Sequence, residues 1–433
     1  MRPYAIYKRY GYATKILKKE LKQVLKGYLQ GNFEASLQRL KELKATQLDT
    51  KSYEKLRRVL DILLIGELYG LHTLKQILRT FGIKSTNYYK LWQDFRYHQI
   101  KRWSISLCVD YFKAKLKVLM GKSDSTWSRT EVTIVVDDSI FKQWLKNMPR
   151  GHYYDCFFSG QVGRAVYGFR VTLIGVALGD DFYPLYFQFV PKGGRSKKVA
   201  LKLLNKVRAM FKQLSDKEGF KYPNLFLSVD SGFTDTDLIK YCERVGIGFI
   251  GVPKKNYIFG FGEQKMNLNN YIEQVFLPQE AAYMEAQKAN GVAPEPFTFR
   301  VRANFKSQNR EVVLLFFRLN NSQKVTVIFC QQIAVMGKTL RRRFFQRTKI
   351  ELFFRFLKDT LKIQKSKTER FGDFTKKLSL YLLKAMVCLQ FVQYCRTKKR
   401  FKGWAFSKLR HHIIYQQVDM DLLKNAVFDS PFA

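Results

Sequence analysis

Thr133-Ile134-Val135-Val136-Asp137-Asp138-Ser139 reads as a short buried strand that runs directly into two carboxylates. Its β-branched, apolar run has the composition of a core strand, and the acids sit where that strand meets the sheet edge. A second strand of the same kind, Leu225 to Val229, ends in Asp230-Ser231-Gly232-Phe233. Two apolar strands that each end in an acid predict a shared edge where the acids meet.

The elements around these strands predict how they are ordered. Ala165 to Leu178 and Phe182 to Val190 are long β-rich runs joined at Gly179-Asp180-Asp181, a hairpin-like turn. A helix is predicted from Ser196 to Leu214, a helix from Thr234 to Val245 and a strand from Ile247 to Val252. The sequence therefore reads β-β-β-α-β-α-β, the order of a ribonuclease-H-like mixed α/β sheet with flanking helices. In that order the first and fourth strands are neighbours.

Downstream, Arg341 to Ile363 reads as one helix in which Phe344, Arg347, Glu351 and Lys358 fall at offsets of three, seven and fourteen residues. At about 100° per residue these return to nearly one face, which places a carboxylate between two cations. Such a display suits a metal ligand beside a polyanion. The ordinary alternative is a surface i,i+4 ion pair between Arg347 and Glu351.

The predicted organisation has five parts. Residues 1–125 form a helical region that includes a candidate DNA-reading helix pair between Tyr69 and Phe95. Residues 126–256 hold the first part of the core, 257–335 a β-rich insertion, 336–396 a helical second part with another long helix at Lys376–Tyr394, and 397–433 a basic tail.

Charge narrows the class of partner. Lys and Arg number 77 against 35 Asp and Glu, a formal net charge of +42 over 433 residues. So large an excess needs a polyanion to neutralise it, and this favours nucleic acid over an anionic membrane surface. No run of about 18 apolar residues is read in the sequence, and Met1 to Arg9 lacks a signal-peptide core, so a cytoplasmic protein is expected. The six cysteines form no C-x-x-C pair and read as reduced and mostly buried; the adjacent His411-His412 is a poor metal pair. No Gly-x4-Gly-Lys-(Ser/Thr) loop is present, which removes the nucleotide-hydrolysing class defined by that motif.

With these motifs in view, residues 130–395 resemble the DDE transposases of bacterial insertion sequences. The likeness is to the cut-and-paste group with a Tyr-x2-Arg-x3-Glu-x6-Lys helix signature. Arg347, Glu351 and Lys358 match that signature, and Phe344 stands at its tyrosine position. Asp230-Ser231-Gly232-Phe233 matches the second acidic motif and Asp137-Asp138-Ser139 the first, with either acid of the pair as the ligand.

The resemblance implies that Asp137 (or Asp138), Asp230 and Glu351 are catalytic and hold two Mg²⁺ or Mn²⁺ ions about 3.5 to 4 Å apart. It implies that Arg347, Lys358 and the Phe344 ring lie against DNA. Position alone adds further candidate DNA contacts: Lys254 and Lys255, just past the strand Ile247 to Val252 at a sheet edge, and Lys362, which extends the Lys358 surface. The implied partners are double-stranded DNA, as terminal inverted repeats and target, and a second copy of the chain in a homodimer; a membrane is not implied. Two other activities fit the same residues: a nuclease that hydrolyses without joining, and a DNA-binding protein that has lost catalysis.

Overall fold

The computed structural model describes residues 96–403, apart from 121–131, 143–152, 160–162, 219–222, 255, 292–295, 320–321 and 365–370, together with isolated positions 23, 27, 79, 406 and 409. The expected helix pair at 69–95, Lys255, His411-His412 and most of the basic tail lie outside the described residues.

The chain is an α/β protein built on one mixed, largely antiparallel sheet of eleven strands with flanking helices. Strands β1 (Val132–Lys142), β2 (Tyr154–Ser159), β3 (Arg164–Leu178) and β4 (Asp181–Phe189) come first. β5 (Leu225–Ser228) and β6 (Gly248–Gly251) follow. β7 (Ile258–Phe261), β8 (Gln264–Asn267), β9 (Thr298–Phe305), β10 (Arg310–Arg318) and β11 (Val325–Cys330) complete the sheet. The spatial order is β2-β3-β1-β5-β6-β11-β10-β9-β7-β8, with β4 also paired to β3. β1, β5 and β6 run parallel to one another; every other pairing is antiparallel.

The helices are α1 (Tyr97–Met120), α2 (Ser196–Glu218), α3 (Thr236–Arg244), α4 (Leu268–Tyr271), α5 (Leu277–Ala289), α6 (Gly337–Phe345), α7 (Thr348–Arg355) and α8 (Phe371–Arg396). Asp235 caps α3 by accepting from the Asp237 N–H. Gly179 turns β3 into β4 at φ 57°, a conformation glycine adopts without a Cβ penalty.

Strand alternation divides the core. Val135 and Phe141 of β1 pack with Ile350, Phe354 and Leu357 on one face, while Ile134 and Val136 pack with Val199 and Leu203 of α2 and Leu238 of α3 on the other. A third cluster joins Phe226 and Ile250 to Leu340 and Phe344.

Residues 257–335, expected as a β-rich insertion, hold β7 to β11; β11 pairs with β6 through Phe329↔Gly251 and Cys330↔Ile250, so these strands extend the same sheet, and α4 and α5 lie among them. Two expectations are corrected. The helix read over Arg341–Ile363 is not one regular helix. It tightens between α6 and α7, where the N–H groups of Gln346, Arg347, Lys349 and Ile350 each bond three residues back, and widens to π geometry at Phe356–Thr360. The reason is that α6 seats Leu340 and Phe344 in one cluster while α7 seats Ile350 and Phe354 in another, so one continuous phase cannot serve both. Finally, α8 is long and apolar enough to cross a membrane by length and composition, but 78% of its apolar window is buried inside the protein. Five cysteines are buried and Cys156 is exposed, all as free thiols.

Candidate active site

The parallel pairing of β1 with β5 ends at Val135↔Ser228. Asp137 and Asp230 each lie two residues beyond that pair and so stand at matching positions, although β1 does not end at its acids as expected: Asp137 lies within β1, which runs on to Lys142 beside β3, and Asp230 lies just past β5. Their charges feel one another. Burial, and then repulsion from Asp230 and Asp138, push the Asp137 carboxyl up to about 8. Asp230 is also raised, by burial first; the Phe233 N–H and Arg347 oppose the shift. That N–H donates to Asp230 Oδ1 at 3.1 Å, and a Cβ on Gly232 would stand 3.2 Å from the same oxygen, so glycine lets the turn close around the carboxylate.

Asp138 faces different partners from its neighbour. Its Oδ2 accepts from Arg170 Nε at 2.6 Å and from Ser196 Oγ, in the first turn of α2, at 2.5 Å. Asp137 shares its strand face with Val135 and Ser139, the face covered by α7 and the π turn. Ser139 Oγ there accepts from Lys358 Nζ at 2.5 Å. The structure thus gives Asp138 a structural set of partners and leaves Asp137 toward the Glu351 helix.

Glu351 lines a cavity of about 470 Å³ together with Asp137, Asp138, Ser139, Arg355 and Lys358; Asp230 is not among its lining residues. The helix is anchored to the strand ends because Ser228 Oγ, at the end of β5, donates to the Phe344 carbonyl at 3.4 Å. Arg347, three residues on, donates through Nη1 to a Glu351 carboxylate oxygen, and its positive charge also acts on Asp137 and Asp230. One guanidinium is therefore the common counter-ion of three acids. Glu351 is 44% exposed and held by that pair, and among the described residues no three His, Cys, Asp or Glu side chains come together as a metal-holding group.

The donor set nevertheless suits a hard divalent ion. The acids offer only oxygen, and the burial and mutual repulsion that hold Asp137 near 8 are what a bound divalent cation would offset. Full convergence requires Glu351 to leave Arg347.

The other expected residues fall differently. Lys358 lines the cavity; burial, then Lys142, lowers its pKa, while Asp359, Asp137 and Asp138 act the other way. Phe344 is corrected: at 5% exposure its ring is a core group packed with Leu340 and Phe226, and it presents no surface to DNA. Lys254 stands near Lys197 on the opposite face of the sheet, and Lys362 is half-buried at a left-handed φ of 56° just past the π turn. Lys365, Lys367 and Arg370 lie outside the described residues. Arg170, Ser196, Lys142 and Arg355 belong to no sequence motif that points to the site; each is brought in by register or by a helix end.

No protein-family model matches the chain, and no curated protein matches it. The reading of this edge rests on its residues and their geometry.

Proposed function

We propose that the chain is a DDE-type DNA transposase of the cut-and-paste kind found in bacterial insertion sequences, with a ribonuclease-H-like catalytic core. The observation that carries this reading is the matched placement of Asp137 and Asp230 on adjacent parallel strands, with Arg347 of the Glu351 helix serving all three acids. The core assignment is supported by the partial order β4-β3-β1-β5-β6, in which β3 is antiparallel to β1 and β5 and β6 are parallel to it.

Asp137, Asp230 and Glu351 would hold Mg²⁺ or Mn²⁺, which when bound would activate a water or a 3′-hydroxyl and stabilise the leaving oxygen. The chain's own groups do the positioning. Arg347, drawn to a phosphate, can clamp it bidentately and in doing so free Glu351; Lys358, braced on Ser139, adds a compact charge at the cavity wall. Joining exchanges one phosphodiester for another. The 3′-hydroxyl oxygen bonds to the target phosphorus, that phosphorus loses its own 3′-oxygen, and the leaving oxygen takes up a proton, so no nucleotide cofactor is required.

The +42 charge supports terminal inverted repeats and target DNA as partners, and pairing of two element ends suits a homodimer. The pairing of Glu351 with Arg347 gives some weight to a second reading, a DNA-binding protein that does not cut.

A strand-transfer reaction with Mg²⁺ and DNA carrying the inverted repeats that flank the gene separates these readings. Joined products support transposition, cleavage without joining a nuclease, and binding alone the second reading. Glu351→Gln should abolish cutting and joining while salt-sensitive binding persists. A Glu351→Gln protein that still cuts DNA would remove Glu351 from the chemistry.

A further inference from the structure

The acid row has a second cationic group on its other side. Arg347, Glu351 and Lys358 belong to the helix packed on the Val135 and Phe141 face of β1. Lys197 lies in the first turn of α2, which packs on the Ile134 and Val136 face together with α3. Its neighbour Ser196 is bonded to Asp138, so Lys197 is fixed one residue from the acid row.

Lys254 follows β6 and comes from the same edge, the C-terminal ends of the three parallel strands. Lys254 feels the Lys197 charge, and both feel Asp235, which accepts from Lys197 Nζ at 2.6 Å. Asp235 is also the N-cap of α3. Two ammonium groups against one carboxylate leave a net positive site, and a cost that a bound anion would relieve: burial, then the Lys197 charge, lowers the Lys254 pKa. The Tyr257 ring, 5.8 Å from Lys254 Nζ, closes one side.

We infer that Lys197 and Lys254 form a phosphodiester-binding clamp on the α2 and α3 side of the sheet edge, separate from the Arg347 and Lys358 side. This rests on the reading of that edge as a DNA site, and adds to it that DNA backbone is gripped on each face of the sheet by separate groups. Joining brings two strands to one acid row, and a cationic group on each face would let each strand be held by its own contacts. The strand held by this clamp comes either from a DNA end or from an uninterrupted duplex.

The test uses the full chain with both lysines replaced, Lys197→Gln and Lys254→Gln; glutamine at 197 can still donate to Asp235. The control, Lys212→Gln and Lys240→Gln, removes the same charge from exposed positions on α2 and α3. Binding is measured across a salt series, on a short blunt-ended duplex and on closed circular plasmid.

For every phosphate that the protein no longer neutralises, the slope of log affinity against log salt should flatten by about 0.9, so the clamp variant should flatten by about one unit and the control far less. A weakening on the short duplex alone assigns the clamp to DNA ends, and a weakening on both probes assigns it to duplex backbone. If clamp and control variants behave alike while the unsubstituted chain binds with a steep slope, the clamp is wrong and the wider reading stands. If the unsubstituted chain shows no salt-dependent binding, both fall.

Discussion

Ser196 Oγ donates to Asp138 Oδ2 at 2.5 Å, which ties the first turn of α2 to the middle of β1 one residue past Asp137. Arg170 holds the same oxygen from β3. Three elements therefore meet on one carboxylate, whereas Asp137 beside it accepts from the Asp138 N–H.

Asp138→Asn keeps the shape but loses the charge that both donors address. We expect a stability loss of about 1–2 kcal/mol by denaturant unfolding, at the lower end because Arg170 is partly exposed, with cutting weakened but present. Equal abolition of cutting by Asp138→Asn and Asp137→Asn would contradict the division of roles between them.

Asp137→Asn should behave in the opposite way, losing chemistry and gaining stability. The folded carboxyl sits at about 8 against an ordinary value of 3.8, so the native state keeps its proton where the unfolded chain has released it. Below both values the two states are protonated alike and Asp137 costs nothing by this route. As pH rises from about 4 toward 8 its contribution turns progressively against folding. Measured without divalent ions, Asp137→Asn should therefore be more stable than the unsubstituted chain by about 1–3 kcal/mol at pH 8, and closer to it at pH 4. A stability difference that does not change between those pH values would show that the crowding of Asp137 is absent in solution.

Lys358 and Ser139 offer a separable pair. If Lys358 meets a phosphate at the cavity wall, Lys358→Met should flatten the salt dependence of DNA binding by about 0.9. Ser139→Ala, which removes only the brace, should leave that slope unchanged and slow cutting. Identical slopes for Lys358→Met and the unsubstituted chain would place Lys358 away from DNA.

Much of the framework is legible in the sequence because it is written in local patterns. Residues 132–136, 165–178, 182–189, 225–228 and 248–251 alternate or cluster as strands do, and the structure pairs them accordingly. Helix α5 is absent from the expectation for 257–335, although Pro278 followed by an Ala- and Glu-rich run is a helix start, because strand signals surround it on both sides.

By itself, the sequence determined the charge, the acids that follow apolar strand residues and the spacing from Arg347 to Glu351, since these depend on neighbours along the chain. Tertiary structure decided the rest. Which face of β1 meets α7 separates Asp137 from Asp138; two distinct apolar clusters break the helix and bury Phe344; and the pairing of β6 with β11 merges the expected insertion into the sheet. Each is a matter of register between residues far apart in sequence, and a one-residue change in register exchanges the faces of a strand without altering any local pattern.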